Sequence, residues 1–213
     1  MKSSLNEALA SEVAYVKALA EEGRNAPLVG GILYVIWGVL MGLAALGSYA
    51  SATGAITVPF VGGLWFWISA FTLGWLASFI LGGKSLSKPG ALTVGNKTAR
   101  ALWISVGVFM SIFWIAAMIF QSRLNAAGFE SRFLFGLMFP LAFGLYGIAF
   151  FATAVAARLH WMGGFAASSW LFSVTSFYFI GDTTQFIVGA AGSFVCAVFP
   201  GLLLMRREPS EIV

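Results

Sequence analysis

The stretch GGKSLSKPGALTVGNKTAR, from Gly82 to Arg100, is long, polar and basic, whereas the sequence on both sides of it is almost entirely apolar. Of the 213 residues, 60% are hydrophobic and only 9% are charged, and the mean hydropathy is +0.91. Soluble globular domains contain far more charged residues than this. The composition therefore indicates an integral membrane protein, in which Gly82–Arg100 is the main polar interruption.

Apolar runs of about 20 residues, the length of helix that crosses roughly 30 Å of hydrocarbon, recur on both sides of this segment. There are six of them, at about 28–50, 58–81, 102–120, 133–155, 162–180 and 185–205. They lack the strict apolar/polar alternation of barrel strands, and a helix satisfies its own backbone groups in lipid. We predict an all-α integral membrane protein whose domain, 27–213, has six transmembrane helices arranged as three hairpins.

The amino-terminal residues 1–26 have a different composition. They contain four glutamates and no apolar core, so they do not resemble a cleavable signal peptide. Leu5, Leu9, Val13 and Val16 fall on one helical face, which predicts an amphipathic cytoplasmic helix. Such a helix could dock against the bundle, lie on the membrane surface or bind a partner protein.

The basic residues predict the orientation, because Lys and Arg near the ends of spans favour the cytoplasmic side. Ten of the twelve fall on one side of the predicted spans, and only Arg123 and Arg132 fall on the other. Both termini should therefore be cytoplasmic, as in a multi-pass protein of a bacterial inner membrane. The central segment contributes Lys84, Lys88, Lys97 and Arg100. We interpret these four as topology determinants that meet lipid head groups; docking of a cytoplasmic protein is the alternative, and no nucleic-acid partner is expected.

Small residues and a proline predict how the helices pack. Gly38 and Gly42 form a GxxxG pair in the first span, and Gly189 and Ser193 form a looser small pair in the sixth. Pro140 lies well inside the fourth span, where it removes a backbone donor and should bend the helix. These residues are predicted to serve helix packing.

Candidate polar sites are few, because no charged residue lies deep in any predicted span. His160, the only histidine, is an interfacial anchor or a proton-handling group. Asp182 caps the sixth helix or marks an entry point for a solute or proton. Ser169, Ser173 and Ser176 share a helical face, which either hydrogen-bonds between helices or lines a polar cavity. The sequence predicts no catalytic or metal-binding residues and identifies no cofactor.

Tryptophans Trp37, Trp75, Trp114 and Trp170 lie deep in predicted spans, where each indole N–H requires a partner. They either fill the bundle or line a pocket for a lipid, a quinone or another apolar ligand. The first functional interpretation is a non-enzymatic membrane protein with a regulatory, stress-related or accessory role. A transporter or channel for small solutes or lipids, with an aromatic-lined apolar cavity, is the alternative, followed by an intramembrane enzyme or cofactor carrier.

Overall fold

The computed structural model describes residues 12–15, 27–128 and 131–208. All regular secondary structure in these ranges is helical. Within these ranges, five helical segments are long and apolar enough to cross a membrane. The coarse prediction of a helical membrane protein is therefore confirmed. The amphipathic helix predicted within 1–26 lies outside the described residues, except for the helical residues 12–15.

The helices that follow the amino-terminal segment are numbered here in chain order. They are α1 (Gly31–Ala52), α2 (Leu64–Leu86), α3 (Val94–Ala126), α4 (Ser131–Gly136), α5 (Met138–Ala156), α6 (Trp161–Tyr178), α7 (Thr184–Ser193), a π-helix (Phe194–Val198) and α8 (Phe199–Met205). The fourth apolar span combines most of α4 with α5, and the last combines α7, the π-helix and α8.

The central polar segment is shorter as a connection than the sequence indicates. Helix α2 continues to Leu86 and α3 begins at Val94, so only residues 87–93 join them. Helical hydrogen bonding does not stop where the apolar run stops, and Lys84 in the last turn of α2 suits the negative end of the helix dipole. The turn is made at Pro89 and Gly90, where Gly90 has a φ of 78° that favours glycine.

Helix α6 covers most of the segment predicted as the fifth span, but it is not among the five segments apolar enough to qualify. Its hydroxyl residues and its glycines, Gly163 and Gly164, make it less apolar than the other spans. It packs along the whole of α5. The structure therefore shows five candidate spans with a sixth, more polar helix beside them.

Close helix packing centres on α1 and the last span. A Cβ atom placed on Gly38 would lie 2.8 Å from the backbone nitrogen of Val198 in the π-helix. One placed on Gly42 would lie 3.0 Å from the ring of Phe194. Both glycines are buried, so the predicted GxxxG face of α1 lies against the π-helix.

The other predicted packing pair, Gly189 and Ser193, lies on α7. A Cβ on Gly189 would overlap the ring of Phe139 on α5, which lies against the glycine. The Ser193 hydroxyl donates to the Gly189 carbonyl at 2.8 Å, so its polar group is satisfied within its own helix. Helices α5 and α7 can therefore approach closely at this point.

The helix that contains Pro140 is interrupted at Leu137, between α4 and α5. Proline has no N–H, so the Gly136 carbonyl four residues earlier lacks its helical donor. The side-chain amide of Gln185 fills that role, donating to the Gly136 carbonyl at 2.7 Å. The same amide nitrogen donates to the Ser176 carbonyl at 2.9 Å, near the end of α6. One buried side chain thus joins the bend, α6 and the start of α7.

Candidate ligand cavity

An elongated cavity of about 630 Å³ lies between α1, α2, α3, α5 and α7. Its volume is within the range of about 300–1,000 Å³ that small-molecule sites occupy. Along α3 its wall extends from Asn96 to Trp114, which at 1.5 Å per residue is about 27 Å. This part of the wall is therefore nearly as long as a hydrocarbon layer is thick, which is roughly 30 Å.

Aromatic side chains from all five helices form much of the wall. They are Tyr34, Trp37, Trp67, Phe71, Trp75, Trp103, Trp114, Phe139, Phe143, Tyr146 and Phe186, and Phe135 of α4 adds one more ring. Several pack edge to face; the Trp103 ring, for example, has its centroid 4.6 Å from that of Tyr34 and 5.1 Å from that of Tyr146. Such contacts hold the rings in place in the wall.

Three of the wall indoles donate to serine hydroxyls on neighbouring helices. The pairs are Trp37 to Ser78 at 2.9 Å, Trp67 to Ser48 at 3.0 Å and Trp75 to Ser111 at 3.1 Å. Each serine in turn donates to the backbone carbonyl four residues earlier in its own helix. These polar groups are therefore satisfied within the protein, and the middle of the wall offers an apolar surface. The Trp103 indole N–H, by contrast, is buried without a hydrogen-bond partner.

The backbones of helices α2 and α3 do not approach each other closely. Helix α2 packs against α1, and α3 packs against α5. Side chains span the gap between them instead. Trp75 donates to Ser111, and the rings of Phe71 and Trp114 stack with their centroids 5.7 Å apart. Aromatic side chains thus bridge the gap between the two helices on this side of the cavity.

One end of the cavity contains Arg100 and Asn96. The Asn96 side chain is buried and fully used: its oxygen accepts the Val29 N–H at 2.9 Å, and its nitrogen donates to the Pro27 and Gly90 carbonyls. Arg100 is exposed at the cavity mouth. This arrangement ties the start of α1 to the central polar segment and leaves one cation at the edge of the cavity.

Close to this end, Glu208 joins three distant parts of the chain. Its carboxylate accepts the Gly31 N–H at 2.6 Å and forms an ion pair with Lys88. The Glu208 side chain is only 6% exposed, so this acid faces the protein rather than water. A carboxylate at a helix amino terminus is favoured by the helix dipole. Lys88 thus has a partner inside the protein, whereas Lys84 and Lys97 are exposed.

The opposite end of the cavity contains Asp182, Thr183 and Gln185. Hydrogen bonds from the Thr184 hydroxyl and the Thr184 backbone N–H, the latter at 2.7 Å, hold the pKa of the exposed Asp182 carboxyl below its usual value. Asp182 is therefore negatively charged at neutral pH. The two ends of the cavity carry charges of opposite sign.

Of the residues predicted to form a polar cavity, only Asp182 lies on this wall. The Ser169 hydroxyl donates to the Phe165 carbonyl at 2.7 Å, and the Ser173 hydroxyl donates to the Pro140 carbonyl at 2.6 Å. Ser176 is buried and its hydroxyl has no partner. His160 is exposed at the start of α6. The structure places the serine face among packed helices and builds the cavity from aromatic side chains elsewhere.

The described residues contain no group of three or more His, Cys, Asp or Glu side chains that could hold a metal ion. The single cysteine, Cys196, is buried in the π-helix. Comparisons with protein-family models, with curated proteins and with solved structures gave no match to this chain.

Proposed function

We propose that this chain is a multi-pass membrane protein that binds an elongated, apolar ligand of the lipid class without catalysing a reaction on it. The observation that carries the proposal is the aromatic-walled cavity of about 630 Å³, whose length approaches the thickness of a bilayer core. The paired indole and serine groups favour an aliphatic or isoprenoid chain, because they leave few polar groups for a ligand to satisfy. The accessory or regulatory role expected from the sequence would be exerted through occupancy of this cavity.

Lipid transport is a second candidate, because residues at both ends of the bundle, Asn96 and Asp182, line the same cavity. A transporter must expose its site to both sides of the membrane, whereas a binding protein need not. Reconstitution into vesicles distinguishes the two candidates. Faster movement of a dye-labelled lipid between leaflets in the presence of the protein would favour transport.

The proposal includes a topology of six spans in three hairpins, with both termini on the cytoplasmic side of the inner membrane. The contacts of Glu208 with Gly31 and Lys88 support an even number of crossings, since the start of α1, the central segment and the carboxyl-terminal segment meet at one end of the bundle. The excess of basic residues on that side supports its cytoplasmic placement.

Single cysteines at Ser87 and Asn125 test this topology, because both positions are exposed and lie beyond opposite ends of the predicted third span. With a membrane-impermeant maleimide, we expect Asn125→Cys to react in intact cells and Ser87→Cys to react only after permeabilisation. Native Cys196 is fully buried and should contribute little background. Labelling of Ser87→Cys alone in intact cells would reverse the proposed orientation.

Filling the cavity tests the binding function. Ala142 of α5 lines the cavity, so we expect Ala142→Trp to occupy part of the space and weaken binding of a lipid-like ligand roughly tenfold, or about 1.4 kcal/mol. The measurements are the lipids that copurify with the protein, identified by mass spectrometry, and the affinity for a brominated 16-carbon chain, followed by quenching of the wall tryptophans.

Ile148→Trp is the matched control, because Ile148 lies on the same helix but is exposed and does not line the cavity. The same side chain is introduced in both variants, so a general effect of tryptophan on α5 affects both. Equal binding by the native protein and both variants would contradict the proposal, since the ligand would then occupy a different surface.

A further inference from the structure

The charges at the two ends of the cavity restrict the ligand further. We infer that the ligand is an amphiphile with one long apolar chain and an anionic head group, a carboxylate or a phosphate, which Arg100 binds. This inference rests on the proposed function, because it specifies the ligand of the same cavity. The observations that carry it are the position of Arg100, the lack of an acidic partner for it among the described residues, and the opposite charge at the far end.

Arg100 lies at the edge of the wall formed by Trp103 and Ile104, the neighbouring residues of α3. In the part of the chain that the structure describes, the only ion pair is that between Lys88 and Glu208, so no acid there neutralises Arg100. The guanidinium group presents several donors in a planar fork that matches a carboxylate or phosphate. An anionic group at this mouth would therefore complete its interactions.

Neighbouring groups cannot replace Arg100 in this role. The Asn96 side chain, on the same wall, already hydrogen-bonds to backbone groups of Pro27, Val29 and Gly90. Lys84 and Lys97 are exposed and do not line the cavity. The Trp103 indole N–H, one turn further along α3, is a donor without a partner at the same end. Among the described residues, the charge that faces a cavity ligand at this end is that of Arg100.

The charge at the far end of the cavity determines which way round such a ligand lies. Asp182, whose carboxyl is charged at neutral pH, would repel an anionic head group there. Between the two ends the paired indoles of Trp37 and Trp75 present apolar ring surface to the chain. A polar group in the middle of the chain would lose its hydration without gaining a partner, which is unfavourable. The head group therefore lies at Arg100 and the chain extends toward Asp182.

The test compares three probes that share a saturated 16-carbon chain: palmitate, hexadecyl phosphate and the uncharged hexadecanol. Their affinities for the purified full chain in an uncharged detergent are measured by competition against the brominated probe. We expect both anions, or the better of them, to bind roughly tenfold more tightly than the alcohol. In Arg100→Gln this preference should disappear while hexadecanol still binds, which also shows that the variant is folded.

Lys97→Gln is the matched control, because it removes the same charge from the same helix at an exposed position outside the cavity. It should retain the preference for anions. Tighter binding of palmitate would identify a free fatty acid as the ligand class, and tighter binding of hexadecyl phosphate would identify a phosphate-bearing lipid; both support the inference.

Two results would overturn the inference while leaving the proposed function intact: equal binding of the anions and hexadecanol by the native protein, or an anion preference that persists in Arg100→Gln. The proposed function itself fails by a different result. That result is an equal affinity of the native protein and Ala142→Trp for all three probes, which would show that the probes do not bind in the cavity.

Discussion

Replacing Gln185 with leucine is expected to lower the free energy of unfolding by about 2–6 kcal/mol. The Gln185 amide supplies a hydrogen bond to the Gly136 carbonyl and another to the Ser176 carbonyl, in a buried position. Leucine has a similar size but no donor, so the buried Ser176 carbonyl and the partly buried Gly136 carbonyl would both lose this donor, at about 1–3 kcal/mol each. The measurement is the thermal unfolding midpoint of the purified protein in detergent, with chemical unfolding where it is reversible.

A double-mutant cycle with Pro140→Ala separates this explanation from a simple loss of packing. Alanine restores the backbone N–H that proline lacks, and this N–H can donate to the Gly136 carbonyl once the helix is continuous. We therefore expect Gln185→Leu to cost less in the Pro140→Ala background than in the native protein. Strictly additive effects would show that the two residues act independently and that the Gly136 carbonyl does not connect them.

The sequence indicates part of this arrangement. Pro140 stands out in an apolar segment, and a bend there follows directly from its chemistry. Gln185, in contrast, looks like one more polar residue in the turn after Asp182. Its partner Gly136 is 49 positions away, and nothing in local composition connects a glutamine to a carbonyl that a distant proline leaves unpaired. Only the packing of α4, α6 and α7 together shows the connection.

In the basic segment, too, local composition does not identify partners that are distant in the chain. The concentration of Lys and Arg from Gly82 to Arg100 predicts an orientation, because the underlying rule counts charges. It does not distinguish Lys88, which pairs with Glu208, from Lys84 and Lys97, which are exposed. Glu208 lies 120 positions from Lys88, and it bonds to the first residue of α1 as well. A charge count treats these lysines as equivalent, whereas the fold assigns them different surroundings.

The candidate site shows where polarity is a poor guide in a membrane protein. Ser169, Ser173 and Ser176 form the most visible polar face in the sequence, yet two of their hydroxyls bond to backbone carbonyls and none lines the cavity. The deep positions of Trp37 and Trp75 are evident from the sequence. Their partners Ser78 and Ser111 are isolated serines in apolar runs. A serine in a helix usually bonds to the backbone of its own helix, so the sequence contains no pattern that reveals the hydrogen bond each serine also accepts from an indole.

Replacing Gly38 with alanine or leucine is expected to destabilise the bundle by about 1–3 kcal/mol, with the larger loss for leucine. A Cβ at Gly38 would lie 2.8 Å from the Val198 backbone nitrogen and 2.9 Å from the Ala197 Cβ, so the π-helix itself would have to move. At Gly42 the nearest atoms belong to the Phe194 ring, whose far end can rotate away. Gly42→Ala should therefore cost less than Gly38→Ala, although both belong to the same GxxxG pair.

Leu43→Ala serves as the control, because Leu43 lies on the same helix and is 52% exposed, so its truncation leaves the contact between α1 and the π-helix unchanged. Unfolding midpoints in detergent should fall in the order Leu43→Ala, Gly42→Ala, Gly38→Ala, from the smallest loss to the largest. Equal losses at the two glycines would mean that α1 moves as a rigid body and that the backbone contact at Val198 is not the limiting one. Helix α1 also carries Trp37 and Tyr34 on the cavity wall. A shift of α1 that accommodates a side chain at Gly38 should therefore weaken binding of the brominated 16-carbon probe as well as lower the stability.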